Sequence, residues 1–155
     1  MVFLDSNIFI IDRFFQRDSI YPANKKFLGL IEEAGTKAAL PFYTLLEVCG
    51  AASFNLSPEE LEAWLYSFAA VYPVMVLDPH PGIKGKLPEV GAYLLEVGRY
   101  VTRKMRLGDA AFLREAEAYG AEAIITWNKK HFAGRTAITV LTPQEYTERL
   151  ASGGK

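Results

Sequence analysis

The chain has one cysteine and two histidines among its 155 residues. It cannot close an internal disulfide, and it has no thiolate or imidazole cluster of the kind that holds zinc. Any metal it binds must be held mostly by oxygen. An excess of charge is also missing: 17 basic side chains stand against 18 acidic ones, for a net charge of −1. Bulk electrostatics therefore gives no pull toward nucleic acid, and attraction to a polyanion must come from local patches or a bound cation. No apolar run is long enough for a membrane, since the longest uncharged stretch, residues 63–77, contains Pro73 and falls short of the ~20 residues a span requires. The opening Met1-Val2-Phe3-Leu4-Asp5 has none of the basic residues that begin a secretory signal, and the expected location is the cytoplasm.

What is present is core-forming material. Half the residues are hydrophobic and 13% are aromatic, enough for one self-sufficient domain over residues 1–150 with a loose tail at 151–155. Short apolar runs at 2–4, 38–40, 74–77, 123–126 and 138–141 read as strands. Helical spacing covers 8–15, 23–34, 44–52, 89–105 and 109–119. Ser57-Pro58-Glu59-Glu60 and Thr142-Pro143-Gln144-Glu145 each combine an N-cap hydroxyl, proline at the first helical position and glutamate at the third. These mark helix starts, the first running to about residue 70. Residues 78–88, with three prolines and two glycines, read as a flexible loop. Strands alternating with helices predict an α/β three-layer sandwich, a central parallel sheet of four to five short strands with helices on both faces. Sites in such sheets lie beyond the carboxyl ends of the strands.

Asp5, Glu47 and Asn128 follow strand ends within a few residues, and Asp109 opens the helix leading into the fourth strand. Each has a plain explanation as a helix cap: Asp5, Ser6 or Asn7 before the first helix, Thr44-x-x-Glu47 as a capping box, Asp109 after Gly108, and Asn128 at a short turn. Together they mean more. Three carboxylates at one sheet edge repel one another and raise one another's pKa, so a chain that gathers them normally supplies a cation. Hard oxygen donors suit magnesium or manganese, and metal-assisted cleavage of a phosphate ester follows.

At these residues the sequence resembles a known family. Leu4-Asp5-Ser6-Asn7-Ile8-Phe9-Ile10, Leu45-Leu46-Glu47-Val48, Arg106-Leu107-Gly108-Asp109-Ala110 and Ile125-Thr126-Trp127-Asn128-Lys129-Lys130-His131-Phe132 are similar, in order and spacing from about residue 1 to 145, to the successive motifs of PIN-domain proteins. The resemblance is closest to the small VapC-type toxins of prokaryotic toxin–antitoxin pairs. It implies a Mg2+- or Mn2+-dependent ribonuclease with a five-stranded parallel sheet, homodimeric and silenced by a cognate antitoxin. It also implies Asp5, Glu47 and Asp109 as acidic metal-site residues, with Thr126 and Asn128 at the fourth position. Many members carry aspartate where this chain has Asn128, so the expectation is one well-held metal and a weaker second. The resemblance further implies cleavage to a 5′-phosphate and a 3′-hydroxyl, with metal-activated water as the attacking group.

Two basic clusters flank these positions, Arg103, Lys104 and Arg106 before Asp109, and Lys129, Lys130, His131 and Arg135 after Asn128. They are candidate RNA contacts. Phe9, Phe14, Tyr43 and Trp127 are expected mostly in the core rather than as stacking platforms for bases. Lys84-Gly85-Lys86 is not a phosphate-binding loop of the Walker type, because the glycine spacing is short and Leu87 replaces the hydroxyl residue. Cys49 lies about 200° around a helix from Glu47 and reads as core. The apolar helix around 61–72 carries more apolar surface than one small core needs; burial accounts for most of its positions, and a second copy or an antitoxin would use the excess. Two alternatives compete with the nuclease. A haloacid-dehalogenase-like phosphatase needs a second aspartate where this chain has Asn7. A PIN-like module that binds RNA or protein without catalysis draws on Asn128.

Overall fold

Strands of three or four residues build the sheet: β1 (Val2–Leu4), β2 (Ala38–Pro41), β3 (Met75–Leu77), β4 (Ala123–Ile125) and β5 (Thr139–Leu141). They come from a computed structural model that describes residues 1–81 and 89–153. All neighbours pair in parallel, in the order β3-β2-β1-β4-β5. Among the described residues seven α-helices connect and cover them: α1 (Ser6–Phe14), α2 (Tyr21–Glu33), α3 (Phe42–Ala52), α4 (Pro58–Val71), α5 (Val90–Val101), α6 (Leu107–Ala118) and α7 (Pro143–Ala151).

Period-two alternation sends successive strand residues to opposite faces. Val2, Leu4, Ala38, Leu40, Ala123 and Ile125 join one core with α1, α2, α3 and α4. Phe3, Ala39 and Ile124 join the other, under α5 and α6. Central strands buried on both faces explain why the runs are continuously apolar rather than alternating. The first core is aromatic: Phe9 meets Phe68 and Tyr72 edge-on with centroids 5.0 Å apart. Phe9 is fully buried and Phe14 and Trp127 pack against the same cluster, as expected of core aromatics, whereas Tyr43 stays exposed. Cys49 is buried there too.

The chain leaves β1 toward β2 and β3 on one side, then returns past it to β4 and β5 on the other. The order therefore reverses between β1 and β4, the place where open sheets of this kind form a crevice beyond the carboxyl ends of the strands.

Several boundaries differ from the sequence reading for local reasons. α3 begins at Phe42 because Pro41, with φ −64° and ψ 147°, already supplies the extended N-cap geometry. Thr44 is consequently inside the first turn, and the capping box expected of Thr44 and Glu47 does not form. α6 starts at Leu107 with Arg106 as N-cap, which puts Asp109 in the first turn rather than at the cap. α5 stops at Val101 instead of reaching 105, and a turn closed by Lys104 at φ 61° intervenes. Both predicted proline-bearing capping boxes form, at Ser57/Glu60 and Thr142/Glu145. Most of the predicted 78–88 loop, including Lys84-Gly85-Lys86, and the last two residues of the tail lie outside the described residues. Among the described residues no helix is long and apolar enough to cross a membrane.

Candidate active site

Asp5 is the first residue past β1, and its backbone N–H continues the ladder to the Ile125 carbonyl at 3.0 Å. Its side chain does not cap α1, although the residue occupies the N-cap position. Instead it turns into the crevice, where Oδ2 accepts the Thr126 hydroxyl at 2.6 Å and the Asn7 amide at 2.6 Å, and Oδ1 accepts the Ser6 hydroxyl at 3.2 Å. Asn7 also donates to Thr126 Oγ1 at 3.0 Å and accepts the Trp127 N–H through Oδ1 at 3.3 Å. The Asn128 N–H donates to Thr126 Oγ1 at 2.9 Å. The start of α1 and the turn after β4 are thus laced together around one carboxylate. Three donors leave Asp5 fixed in rotamer, with lone pairs on Oδ1 still to satisfy.

Glu47 and Asp109 approach from α3 and α6. These helices come close because position 108 is glycine: a β-carbon there would stand 3.2 Å from Glu47 Oε1. Burial foremost, and then the negative charge of Asp109, holds the Asp5 carboxyl above the usual carboxylate range, against the lowering effect of the Thr126 and Ser6 hydrogen bonds. Glu47 is also raised, by desolvation of its carboxyl first and by Asp5 and Asp109 next. Its outer edge nevertheless remains open to solvent. Asp5 and Glu47 thus both sense the charge of Asp109, and Glu47 senses that of Asp5 as well. Among the described residues no lysine or arginine pairs with any of them. His131 Nδ1 lies 3.3 Å from the Asp109 carboxylate.

Of the capping explanations, none accounts for these side chains. Asp5 and Asn128 occupy N-cap positions without a side-chain cap bond, Glu47 is inside α3, and Asp109 sits in the first turn of α6, where its charge favours the helix dipole without capping. Thr126 is fully buried in the network and Asn128 is exposed beside it. Ser6, Asn7 and Gly108 are parts of the site that sequence reasoning did not single out. The Asp5-Ser6-Asn7 run carries the signal, but Asn7 reads there only as a helix cap and as a missing aspartate. Asn24 was also missed: fully buried on α2, it accepts the Trp127 indole N–H at 2.9 Å and donates to the Ile8 carbonyl at 2.9 Å.

The donors are carboxylate, hydroxyl and amide oxygens, a set that fits a hard divalent cation and not zinc. Among the described residues no three His, Cys, Asp or Glu side chains stand close enough to form a ready-made metal group. The basic clusters divide. Lys129 Nζ bonds both carboxylate oxygens of Glu145, at 2.7 and 2.8 Å. Arg103 pairs with Glu117 and lies over the Tyr100 ring, 4.3 Å from its centroid. Arg135, expected among the cations, spends its guanidinium on backbone carbonyls. Lys104, Arg106 and Lys130 are exposed, and no ion pair holds them among the described residues.

No protein-family model and no curated protein matches the chain. Solved structures do. A chain of VapBC2 from Rickettsia felis, bound to a DNA fragment from its promoter, superposes with a TM-score of 0.62 at 18% identity, covering 92% of this chain and 98% of that one. A chain of a toxin–antitoxin complex from Klebsiella pneumoniae gives 0.59 at 20% identity over 94% and 99%. DNA-bound VapBC from Salmonella typhimurium gives 0.60 at 19% over 92% and 97%. With the parallel five-stranded order and the three layers described above, the chain has the PIN-like α/β fold that its motifs resemble, shared with chains of VapBC complexes.

Proposed function

We propose that this protein is a divalent-cation-dependent endoribonuclease, the toxin of a toxin–antitoxin pair. The observation that supports the reading is electrostatic: the charge of Asp109 adds to burial in raising both Asp5 and Glu47 at the switch point of the sheet, with no basic side chain on Asp5 or Glu47 among the described residues. A Mg2+ or Mn2+ ion held by Asp5, Asp109 and Glu47, with Asn128 as a weak fourth oxygen, would supply a water of lowered pKa and offset charge on the scissile phosphate.

The chain's own residues divide the remaining work. Thr126 and Asn7 occupy Asp5 Oδ2, whereas Oδ1 accepts the longer Ser6 contact at 3.2 Å and is the oxygen that would reach a cation. Glu47, raised in pKa and open to solvent, is placed to accept a proton from an attacking water. His131 Nδ1 holds the orientation of Asp109. Lys104, Arg106 and Lys130 offer charge to an RNA backbone, while Arg103, Lys129 and His131, also candidates from the sequence, are already engaged within the fold. Asn7, bound to both Asp5 and Thr126, has no acid to give a phosphoester, which disfavours a phosphatase.

The antitoxin follows from the shared fold and from apolar side chains left exposed on α3, α4 and α5. The same excess supports a homodimer. Purified protein incubated with structured RNA and Mn2+ or Mg2+ is expected to cut it, and Asp5→Asn and EDTA are each expected to abolish cutting. Cleavage that survives either treatment would overturn the assignment. A binding module without catalysis is the second reading, favoured by Asn128 and by the lack of a ready-made three-ligand group among the described residues. Calorimetry that finds no divalent binding would select it.

A further inference from the structure

Two turns beside the carboxylates are joined through two arginines that donate to backbone carbonyls of the opposite turn. Arg135 donates from Nε to the Arg103 carbonyl at 3.1 Å, from Nη1 to the carbonyls of Lys130 at 2.7 Å and His131 at 3.1 Å, and from Nη2 to that of Lys104 at 3.5 Å. Arg103 returns the contact, its Nη1 donating to the Arg135 carbonyl at 3.0 Å. Only a planar guanidinium with five donors can bridge so many acceptors at once, and a lysine in its place could not. The turn after α5 and the 3-10 turn Lys129–His131 therefore form one unit. It lies against the crevice, because His131 touches Asp109.

Lys104 sits on this unit in an unusual backbone conformation. Its φ is 61°, and it is the one non-glycine with positive φ among the described residues; the other four are Gly35, Gly120, Gly134 and Gly153. A β-carbon makes that conformation costly, and glycine removes the cost. Strain kept beside a site points to a use for the side chain. Lys104 is exposed and, among the described residues, unpaired, as are Arg106 two residues on and Lys130 across the staple.

We propose that the two stapled turns form a preassembled ledge for the sugar-phosphate backbone of a single-stranded nucleic acid, with Lys104, Arg106 and Lys130 as its phosphate contacts and Arg135 as the positioning residue that holds them together. Three exposed cations on a fixed backbone match the repeated charge of a sugar-phosphate chain. The ledge rests on the nuclease reading for its purpose but not for its existence, and binding separates the two.

The test is the affinity of a fluorescent RNA oligonucleotide, measured in EDTA across a salt series, together with thermal unfolding. Lys104→Gly is expected to unfold at or above the wild-type midpoint, to bind several-fold more weakly, and to flatten the slope of log K against log salt by about 0.7, one single-strand phosphate contact. Arg135→Lys keeps the charge and is expected to weaken binding through the lost staple. Lys26→Ala, an exposed cation on α2, is expected to change nothing. The ledge is overturned if Lys104→Gly leaves affinity and slope unchanged, or if Lys26→Ala lowers them equally. It is also overturned if polyglutamate or inorganic phosphate competes as well as unlabelled RNA does at equal phosphate or carboxylate concentration. Protein that binds through Lys104 but never cuts RNA would sink the nuclease reading and leave the ledge. Protein that cuts while ignoring Lys104→Gly would do the reverse.

Discussion

Gly108 sets the distance between two of the acids, and its replacement separates stability from activity. In an α-helix, alanine is favoured over glycine by about 1 kcal/mol. The new methyl would meet Glu47 Oε1 at 3.2 Å, a contact the solvent-open carboxylate relieves by moving a few tenths of an ångström. Gly108→Ala is therefore expected to raise or hold the unfolding midpoint while lowering RNA cleavage about 10-fold, the lower end of what disturbing a ligand's support costs. Parallel thermal denaturation and cleavage assays check both halves, and a fall in the two together would mean that Glu47 cannot yield. Asp5 gives a pH signature. Its folded pKa is raised above the ordinary value of 3.8, as that of Glu47 is above 4.5. Below those values folded and unfolded chains both hold the protons, and neither group affects stability. As pH rises the unfolded chain ionises first, so stability falls until pH passes the raised folded values and then stays low. In EDTA, Asp5→Asn is expected to exceed the wild-type midpoint at pH 7, with the gap closing as pH drops toward 4. A gap independent of pH would mean that the substitution acts through its hydrogen bonds instead.

Between elements, the site depends on anchors some distance from the chemistry. The turn after β4 is held on one side by Asn24, which grips the Trp127 indole, and on the other by Lys129, bound to Glu145. Glu145 is also the third residue of the α7 capping box, accepting the Thr142 N–H at 2.7 Å, while its own N–H donates to Thr142 Oγ1 at 3.1 Å. Thr142→Ala is expected to cost about 1 kcal/mol of stability through the lost cap and, because Glu145 is then freer to leave Lys129, to reduce cleavage as well. Ser57→Ala loosens the equivalent cap on α4, far from the turn, and is expected to cost as much stability with cleavage unchanged. Denaturant melts with cleavage rates on both variants decide whether α7 is coupled to the site. Both caps were legible in the sequence, because hydroxyl, proline and glutamate at fixed spacing describe one local geometry. The strands were legible for the same reason, since short apolar runs between turn residues admit few alternatives. The start of α3 was not, because Pro41 ends a strand and begins a helix at once, which a propensity reading cannot distinguish. The roles of Asn7, Asn24 and Arg135 were hidden for a different reason. Asn24 lies 16 residues from Ile8, Asn7 lies 120 from Trp127 and Arg135 lies 32 from Arg103, and a hydrogen bond across the fold leaves no periodic trace.

For the whole molecule, the open question of architecture is what covers α5. Its inner side packs Val97, Tyr93 and Tyr100 against the second core. Its outer side leaves Val90 at 75%, Leu94 at 56% and Leu95 at 74% exposed, with Leu107 at 55% following at the start of α6. Single apolar residues on a surface are ordinary, but a run along one helix is the mark of a partner. A second copy fits the need, since an isologous contact places the same patch on both sides and no second protein has to be invoked. Leu95→Asp adds a charge at a solvent-facing position, so it is expected to leave the monomer's fold intact while breaking a self-association that must bury at least about 1,000 Å2. Light scattering behind a sizing column is expected to show a dimer for the wild type and a monomer for the variant. Circular dichroism is expected to be identical for the two. A wild-type chain that runs as a monomer at every concentration would leave the patch for the proposed antitoxin, and adding Leu95→Asp would then have no effect on mass.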